Sequence, residues 1–231
     1  MFDNIHFVSY DIPQSLDVEK APQTRHQLMD IAPKDLTNGE IPLNIKDTDF
    51  SISGRIETFS NSPASPFALK NLFYLEAFSV FTCGQDFYTK RANYNSFMIL
   101  YTYEGSGRLE YEGRSYSLSP GDGFFIDCRR HQHYMTAGEY WKHSVFHLNG
   151  PLLPYIFEEY LGNGSAVFSQ PLTGSYHAAL EQLLLIYSRS EIYREWLASS
   201  CINGILTELL TAALDRSPGK YNCPYVRDAK R

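Results

Sequence analysis

A mainly β fold with helices at its C-terminal end is what this 231-residue chain predicts, and three observations carry that reading. Aromatic residues reach 15%, almost all of them Tyr (17) and Phe (15), which suit pleated strands and pocket walls better than a plain helical bundle. From Leu72 to Leu148 short β-type runs are punctuated by turn residues about every 8 to 12 positions, the spacing of a sandwich or barrel. After Gly150-Pro151 the apolar period switches to that of helices.

Taken in order, residues 1–70 form an arm in which Pro13, Pro22, Pro33, Pro42, Pro63 and Pro66 interrupt every period before it extends. Ile41 to Thr58 alternates well enough for one or two strands, and Asn61 to Pro66 reads as a linker. Residues 71–170 hold the barrel, with strands expected at LFYLEAFSVF, DFYTKR, SFMILYTYEG, GRLEYEG, RSYSLS, GFFIDC, HQHYMT and KHSVFHLNG. Leu109 and Tyr111 alternate into Glu112-Gly113, and Tyr116 and Leu118 alternate out of it, so a tight hairpin is expected there. Ser119-Pro120-Gly121-Asp122 is a second turn, since Pro presets φ and Gly accepts the left-handed position.

PLLPYIFEEYL reads as a short helix, followed by a Gly162-Asn163-Gly164 turn and a last strand, AVFS. Residues 171–216 are helical: Ser175 is a candidate cap of a helix to about Tyr187, with Ala178, Ala179, Gln182, Leu183 and Ile186 at helical spacing. In the next helix Trp196, Cys201, Ile205, Leu209 and Ala213 share one side, and Leu197, Ile202, Leu206 and Leu210 widen the stripe. Ser217-Pro218-Gly219 ends it, and residues 217–231 read as a linker.

Composition excludes several functions. The formal charge of −6 (20 basic against 26 acidic residues) does not favour holding a phosphate backbone with these residues alone. Cys83, Cys128, Cys201 and Cys223 have neither CxxC nor framework spacing, which argues against a disulfide scaffold or zinc ribbon and for thiols in a reducing, cytoplasmic setting. The opening MFDNIHFVSYDIPQ has no signal-peptide pattern, and no run approaches the roughly 18 consecutive apolar residues of a membrane span. There is no GxSxG elbow and no phosphate loop, and Cys128 in FFIDC reads as a buried inert thiol.

The segment from Asn95 to Gly150 resembles the sensor half of AraC-family transcription regulators. The matching features are Gly105 and Gly107 in a GxG turn, Tyr111 and Gly113 in the hairpin, Pro120-Gly121-Asp122, His133-Tyr134, Trp141, and the closing Phe146 to Gly150. The resemblance implies a cupin-like barrel (a double-stranded β-helix or jelly roll) that binds a small effector, often a sugar. A helical dimerisation hairpin would follow, and then a DNA-binding domain with two helix-turn-helix motifs. On this reading Tyr225 to Arg231 is the opening turn of that domain, and DNA contact belongs to residues outside this chain.

The resemblance also suggests ligand residues, Arg91, His133, Tyr134, Trp141, His143 and Val145, while the apolar width of the last helix's stripe, more than one barrel edge should require, suggests a homodimer interface at Trp196, Ile202, Ile205, Leu206 and Leu209. Strand alternation puts Trp141, His143, Val145 and His147 on one face. His143 and Val145 fall at effector-contacting positions of an arabinose-sensing member, and Tyr134 at its tyrosine; Val145 departs from a tryptophan against which the sugar stacks. Arg91 could fork onto two hydroxyls or a carboxylate.

His131, His133, His143 and His147 raise a metal-dependent cupin enzyme as the alternative, since imidazoles on adjacent strands bind zinc, iron or manganese. Metal-binding cupins share a His-x-His pair on an earlier strand, whereas Phe87 to Gly107 contains no histidine. The expectation is therefore binding without turnover, with no catalytic residue, metal or cofactor. A sugar or sugar derivative is the expected effector, with a small organic acid or aromatic next, and a bare carbohydrate-binding module is a third reading.

Overall fold

A computed structural model describes residues 2–17, 48–59, 61–189 and 193–215. The arm contributes strands β1 (Phe7–Asp17) and β2 (Thr48–Phe59), and then a short helix α1 (Pro66–Asn71). The barrel strands are β3 (Tyr74–Gly84), β4 (Tyr88–Arg91), β5 (Phe97–Tyr111), β6 (Arg114–Leu118), β7 (Asp122–Asp127) and β8 (Gln132–Asn149). Helix α2 (Leu153–Gly162), strand β9 (Val167–Ser169) and helices α3 (Ser175–Ser188) and α4 (Arg194–Asp215) complete the order. The strand predicted between Ile41 and Thr58 is β2 and extends one residue further; its predicted start, like residues 216–231, lies outside the described residues.

Two of the expected strand pairs are single long strands. SFMILYTYEG and GRLEYEG are one strand, β5, and HQHYMT and KHSVFHLNG are one strand, β8. Both bend, because each serves two halves of the barrel. The first half of β5 pairs with β7 and the C-terminal half of β8, and the second half pairs with β6 and the N-terminal half of β8. Strand β2 bridges β3 and β4 in the same way. All these pairings are antiparallel, and the chain order β1-β2-β3-β8-β5-β7-β9 rolls into a jelly-roll barrel.

Glycines make the corners. Gly105 has φ +72°, and a Cβ there would lie 2.1 Å from the Tyr140 carbonyl oxygen. A Cβ on Gly107 would strike the Trp141 indole at 2.3 Å. The GxG spacing that marks the turn in sequence therefore lets two β5 backbone positions close onto the bend of β8. Trp141 fills that corner with no exposed surface and donates from Nε1 to Thr102 Oγ1 at 3.1 Å.

The outer side of the bent sheet is covered by the helices. Ile99, Phe97, Phe125, Phe146 and Leu148 belong to one buried core with Phe157 and Tyr160 of α2 and Tyr176, Leu180 and Leu184 of α3. Helix α4 lies on α3 and β3, tied down by Glu195 accepting from the Ser65 amide and hydroxyl, both at 2.6 Å. Ser199 Oγ accepts the Phe73 amide at 3.0 Å. Ser175 does not cap α3: Gly174 occupies the cap position without a side-chain bond, and Ser175 Oγ donates to Glu208 instead.

Among the described residues α4 is the one helix with the length and apolar composition to cross a membrane. Its stripe, however, already has a partner inside the chain. Ile202, Ile205, Leu206 and Leu209 are at most 1% exposed, so of the five residues expected at a dimer interface only Trp196 shows its side chain. Apolar width alone could not separate these uses, because the helix covers both α3 and the edge of the barrel.

Candidate functional site

Alternation on each side of the bend in β8, with a change of phase across it, points Gln132 and Tyr134, and then Trp141, His143, Val145 and His147, into the barrel. Register brings Phe81 and Thr102 beside His143, Leu100 beside Val145, and Arg91 beside Gln132. Five of the six expected ligand residues thus share one interior: Arg91, Tyr134, Trp141, His143 and Val145. The sixth, His133, points the other way. It sits between two inward residues of a strand, and its Nδ1 faces Glu110 at 3.1 Å on the outer surface. There it lines an open cleft of about 610 Å³ with Asp49, Asp86, Tyr88 and Thr136.

The upper part of the interior is aromatic. His143 stacks on Phe81, with ring centres 5.3 Å apart and planes 6° from parallel, and touches Phe87 and Trp141. Tyr134 packs between Phe87 and Phe124. His143 is fully buried and neither ring nitrogen is in good hydrogen-bond geometry, although the Trp141 backbone lies near enough to oppose part of the effect of burial. Burial depresses its pKa to about 3, so the ring is neutral near pH 7.

The lower part is a polar chain. Ser96 Oγ donates to Glu76 at 2.5 Å and meets His147 Nδ1 at 3.0 Å. His147 Nε2 faces an Arg91 amino group at 3.5 Å, and the guanidinium lies 4.2 Å above the Tyr94 ring. Burial first, and then the charge of Arg91, hold His147 at about 3. Burial raises the Glu76 carboxyl, and bonds from Ser96 and Asn149 oppose that rise. Arg91 Nε and both amide atoms of Gln132 are buried outside hydrogen-bond geometry with any nitrogen or oxygen of the described residues.

Sequence reasoning did not single out Gln132, Phe81 or the Glu76-Ser96-His147 chain. The signal for Gln132 was present, since it lies two residues before Tyr134 on the same face. Phe81 and Glu76 depend on strand pairings that local patterns do not reveal.

The four histidines of the metal hypothesis are not brought together. His131 is exposed, His133 faces outward, and only His143 and His147 share the interior. Among the described residues no group of three His, Cys, Asp or Glu side chains is placed to hold a metal ion. Burial raises the Cys83 and Cys128 thiols to about 12, consistent with inert cysteines. A second cleft, of about 740 Å³, lies outside the barrel under the arm, between Phe2, Ile5 and Phe7 and the sheet residues Val80, Tyr103 and Lys142.

Comparison with known proteins gives a family. The profile described as the AraC-like ligand binding domain matches residues 78–202. No curated protein matches. Among solved structures, the AraC-like transcriptional activator CuxR aligns at TM-score 0.47 and 11% identity, covering 86% of this chain and 69% of that one. An HTH_3 family transcriptional regulator from Vibrio cholerae aligns at 0.33 and 8%, over 41% of this chain, which spans about half (51%) of that protein. A predicted oxalate decarboxylase from Thermotoga maritima aligns at 0.32 and 15%, over 42% of this chain and 81% of that one.

Proposed function

The chain belongs to the AraC-like ligand binding domain family, and on that premise we propose that it is the sensing part of a transcription regulator that binds a sugar or sugar derivative inside the barrel. The observation that carries this is the inward face of β8 and β4. His143, set among the rings of Phe81, Phe87 and Trp141, and Gln132 and Arg91 Nε in the polar part below it are buried polar groups outside hydrogen-bond geometry with any nitrogen or oxygen of the described residues. Buried polar atoms are ordinarily paired, and each unpaired one costs about 1–3 kcal/mol. A polyhydroxylated ligand would pair them and lay its apolar face on a ring. Phe81 offers the ring that Val145 does not.

The activity is binding rather than turnover. Ligand acts by favouring one arrangement of arm, barrel and helices, with a coupling of about 1–3 kcal/mol sufficient to change how DNA-binding domains are presented. The rest of the proposal is a cytoplasmic homodimer that meets DNA through a further domain, with exposed Trp196 and its neighbour Phe67, ring centres 5.3 Å apart, at the dimer contact.

A thermal-shift screen against sugars, sugar acids and divalent metals tests the sensing reading, because a ligand of the native state raises the melting temperature. The expected result is a sugar-type hit that His143→Ala abolishes. A hit indifferent to His143→Ala removes the barrel interior as the site, and a response to metals alone that needs His133 would favour the cupin enzyme.

A further inference from the structure

We infer that the effector carries a carboxylate, held by the Arg91 guanidinium together with the Gln132 carboxamide. This rests on the sensing reading above and names the chemistry of that same site. Arg91 and Gln132 are direct register partners on β4 and β8, so both side chains enter the barrel at one level. Gln132 has no exposed surface, and apart from the adjacent Cys128 thiol neither of its amide atoms has a partner; Arg91 Nε is likewise buried and unpaired. Two adjacent unsatisfied groups, one charged, mark a place where an acceptor belongs.

Among the described residues nothing supplies that acceptor. Among the described residues no carboxylate lies in ion-pair range of Arg91. The acid at that end of the barrel, Glu76, is already engaged: Ser96 Oγ donates to one oxygen at 2.5 Å and Asn149 Nδ2 to the other at 3.3 Å. With the Ser96 hydrogen directed at Glu76, His147 donates from Nδ1 to Ser96 Oγ. That tautomer leaves Nε2 as a neutral acceptor facing the guanidinium at 3.5 Å. The chain Glu76-Ser96-His147 therefore orients Arg91 from one side without neutralising it, and Tyr94 supports the plane from below.

Charge and geometry narrow the class. The neighbouring lysines face outward, Lys90 beside inward Arg91 and Lys142 paired with Glu104 at 2.9 Å, so among the described residues Arg91 is the cation at this level of the barrel. The guanidinium fork fits the two coplanar oxygens of a carboxylate, and its single positive charge balances a monoanion but leaves a phosphate dianion half neutralised. The Gln132 amide N–H group would share that carboxylate, and its Oε1 would accept a hydroxyl next to it. A hydroxy acid, such as a sugar acid, has both groups.

The test uses matched probes: lactate against lactamide, and galacturonate against galactose and galactose 6-phosphate, each followed by thermal shift and calorimetric titration. The expected result is that an acid stabilises the protein by a few degrees while its neutral counterpart falls at least about tenfold short in affinity. Arg91→Met and Gln132→Leu should each abolish that preference. Without ligand, Arg91→Met should melt no lower than the parent, because it keeps an unbranched stem and removes a charge that has no counter-ion among the described residues. Equal binding of acid and neutral probes, preference for the phosphate ester, binding that survives Arg91→Met, or a drop of several degrees in the ligand-free Arg91→Met protein would each overturn the inference. In any of these cases a neutral sugar whose binding is lost in His143→Ala leaves the sensing reading standing. If no probe binds, both fall.

Discussion

The two faces of β8 come from one strand and are finished in opposite ways. On the outer face Ser144 accepts the Tyr103 hydroxyl at 3.0 Å, and Phe146 and Leu148 are sealed under the helices with no exposed surface. On the inner face His143 and Gln132, one on each side of the strand's bend, are buried with their polar atoms outside hydrogen-bond geometry with any nitrogen or oxygen of the described residues. Off β8 the helical cover has exceptions of its own, among them Tyr176 and His177 where α3 begins and Arg194 Nε on α4. The outer face is built to hold the fold, and the inner face gives up stability that a ligand can restore. Binding sites commonly show this trade, since groups poised for a partner are poorly satisfied without it.

The largest effect that separates the two roles comes from the helical cover. Leu209 is fully buried on α4, so Leu209→Asp places an uncompensated charge in the outer core and should cost about 3–5 kcal/mol. Chemical denaturation should therefore show an unfolded or aggregating protein rather than a stable monomer. Trp196→Asp is the counterpart: Trp196 is 56% exposed, so that variant should keep its fold and, in sedimentation, lose the dimer. A stable, folded Leu209→Asp protein would show that α4 does not close the outer face. A dimeric Trp196→Asp protein would move the interface elsewhere.

The inner face should show itself through pH. His143 has its pKa lowered from 6.5 to about 3 by burial, His147 also to about 3, and His177 to about 4. Between pH 6.5 and those values the unfolded chain takes up protons that the folded chain refuses. Stability therefore falls as pH falls through that window, by up to about 1.4 kcal/mol per pH unit for each histidine, and is recovered above pH 6.5. Urea unfolding of His143→Phe at several pH values should give a shallower decline from pH 6.5 to 4 than the parent shows. At neutral pH the variant should match or exceed the parent, because two unpaired nitrogens have been removed. An unchanged slope would mean that His143 is not held neutral in the barrel.

The legible parts of this molecule are those fixed by near neighbours in sequence. The Glu112-Gly113 hairpin, the Pro120-Gly121 turn, the outlines of α2, α3 and α4, and the inward set Trp141, His143 and Val145 all follow from local spacing, and all are found. What was not legible depends on distant pairing. Strands β5 and β8 each read as two because their bends interrupt the alternation, yet those bends let one strand serve both halves of the barrel. The α4 stripe shows that a face must be covered without showing by what. At the site, Arg91 was visible as a basic residue before a strand, but its lack of an acid partner depends on where Glu76, Ser96 and His147 meet.

His133 gives the smallest effect and a direct check on which face is which. The motif His133-Tyr134 suggests that both residues serve the ligand, but adjacent strand residues cannot share a face. Tyr134 is inside against Phe87 and Phe124, while His133 pairs with half-exposed Glu110 and touches the edge of Tyr88. Surface pairs of this kind contribute about 0–1 kcal/mol. His133→Ala should therefore shift stability by no more than that and leave effector affinity within about twofold, whereas Tyr134→Ala should weaken binding strongly. The same two titrations could give the reverse order. The effector would then sit in the outer cleft beside Asp49 and Tyr88, and the unpaired groups of the barrel interior would need another explanation.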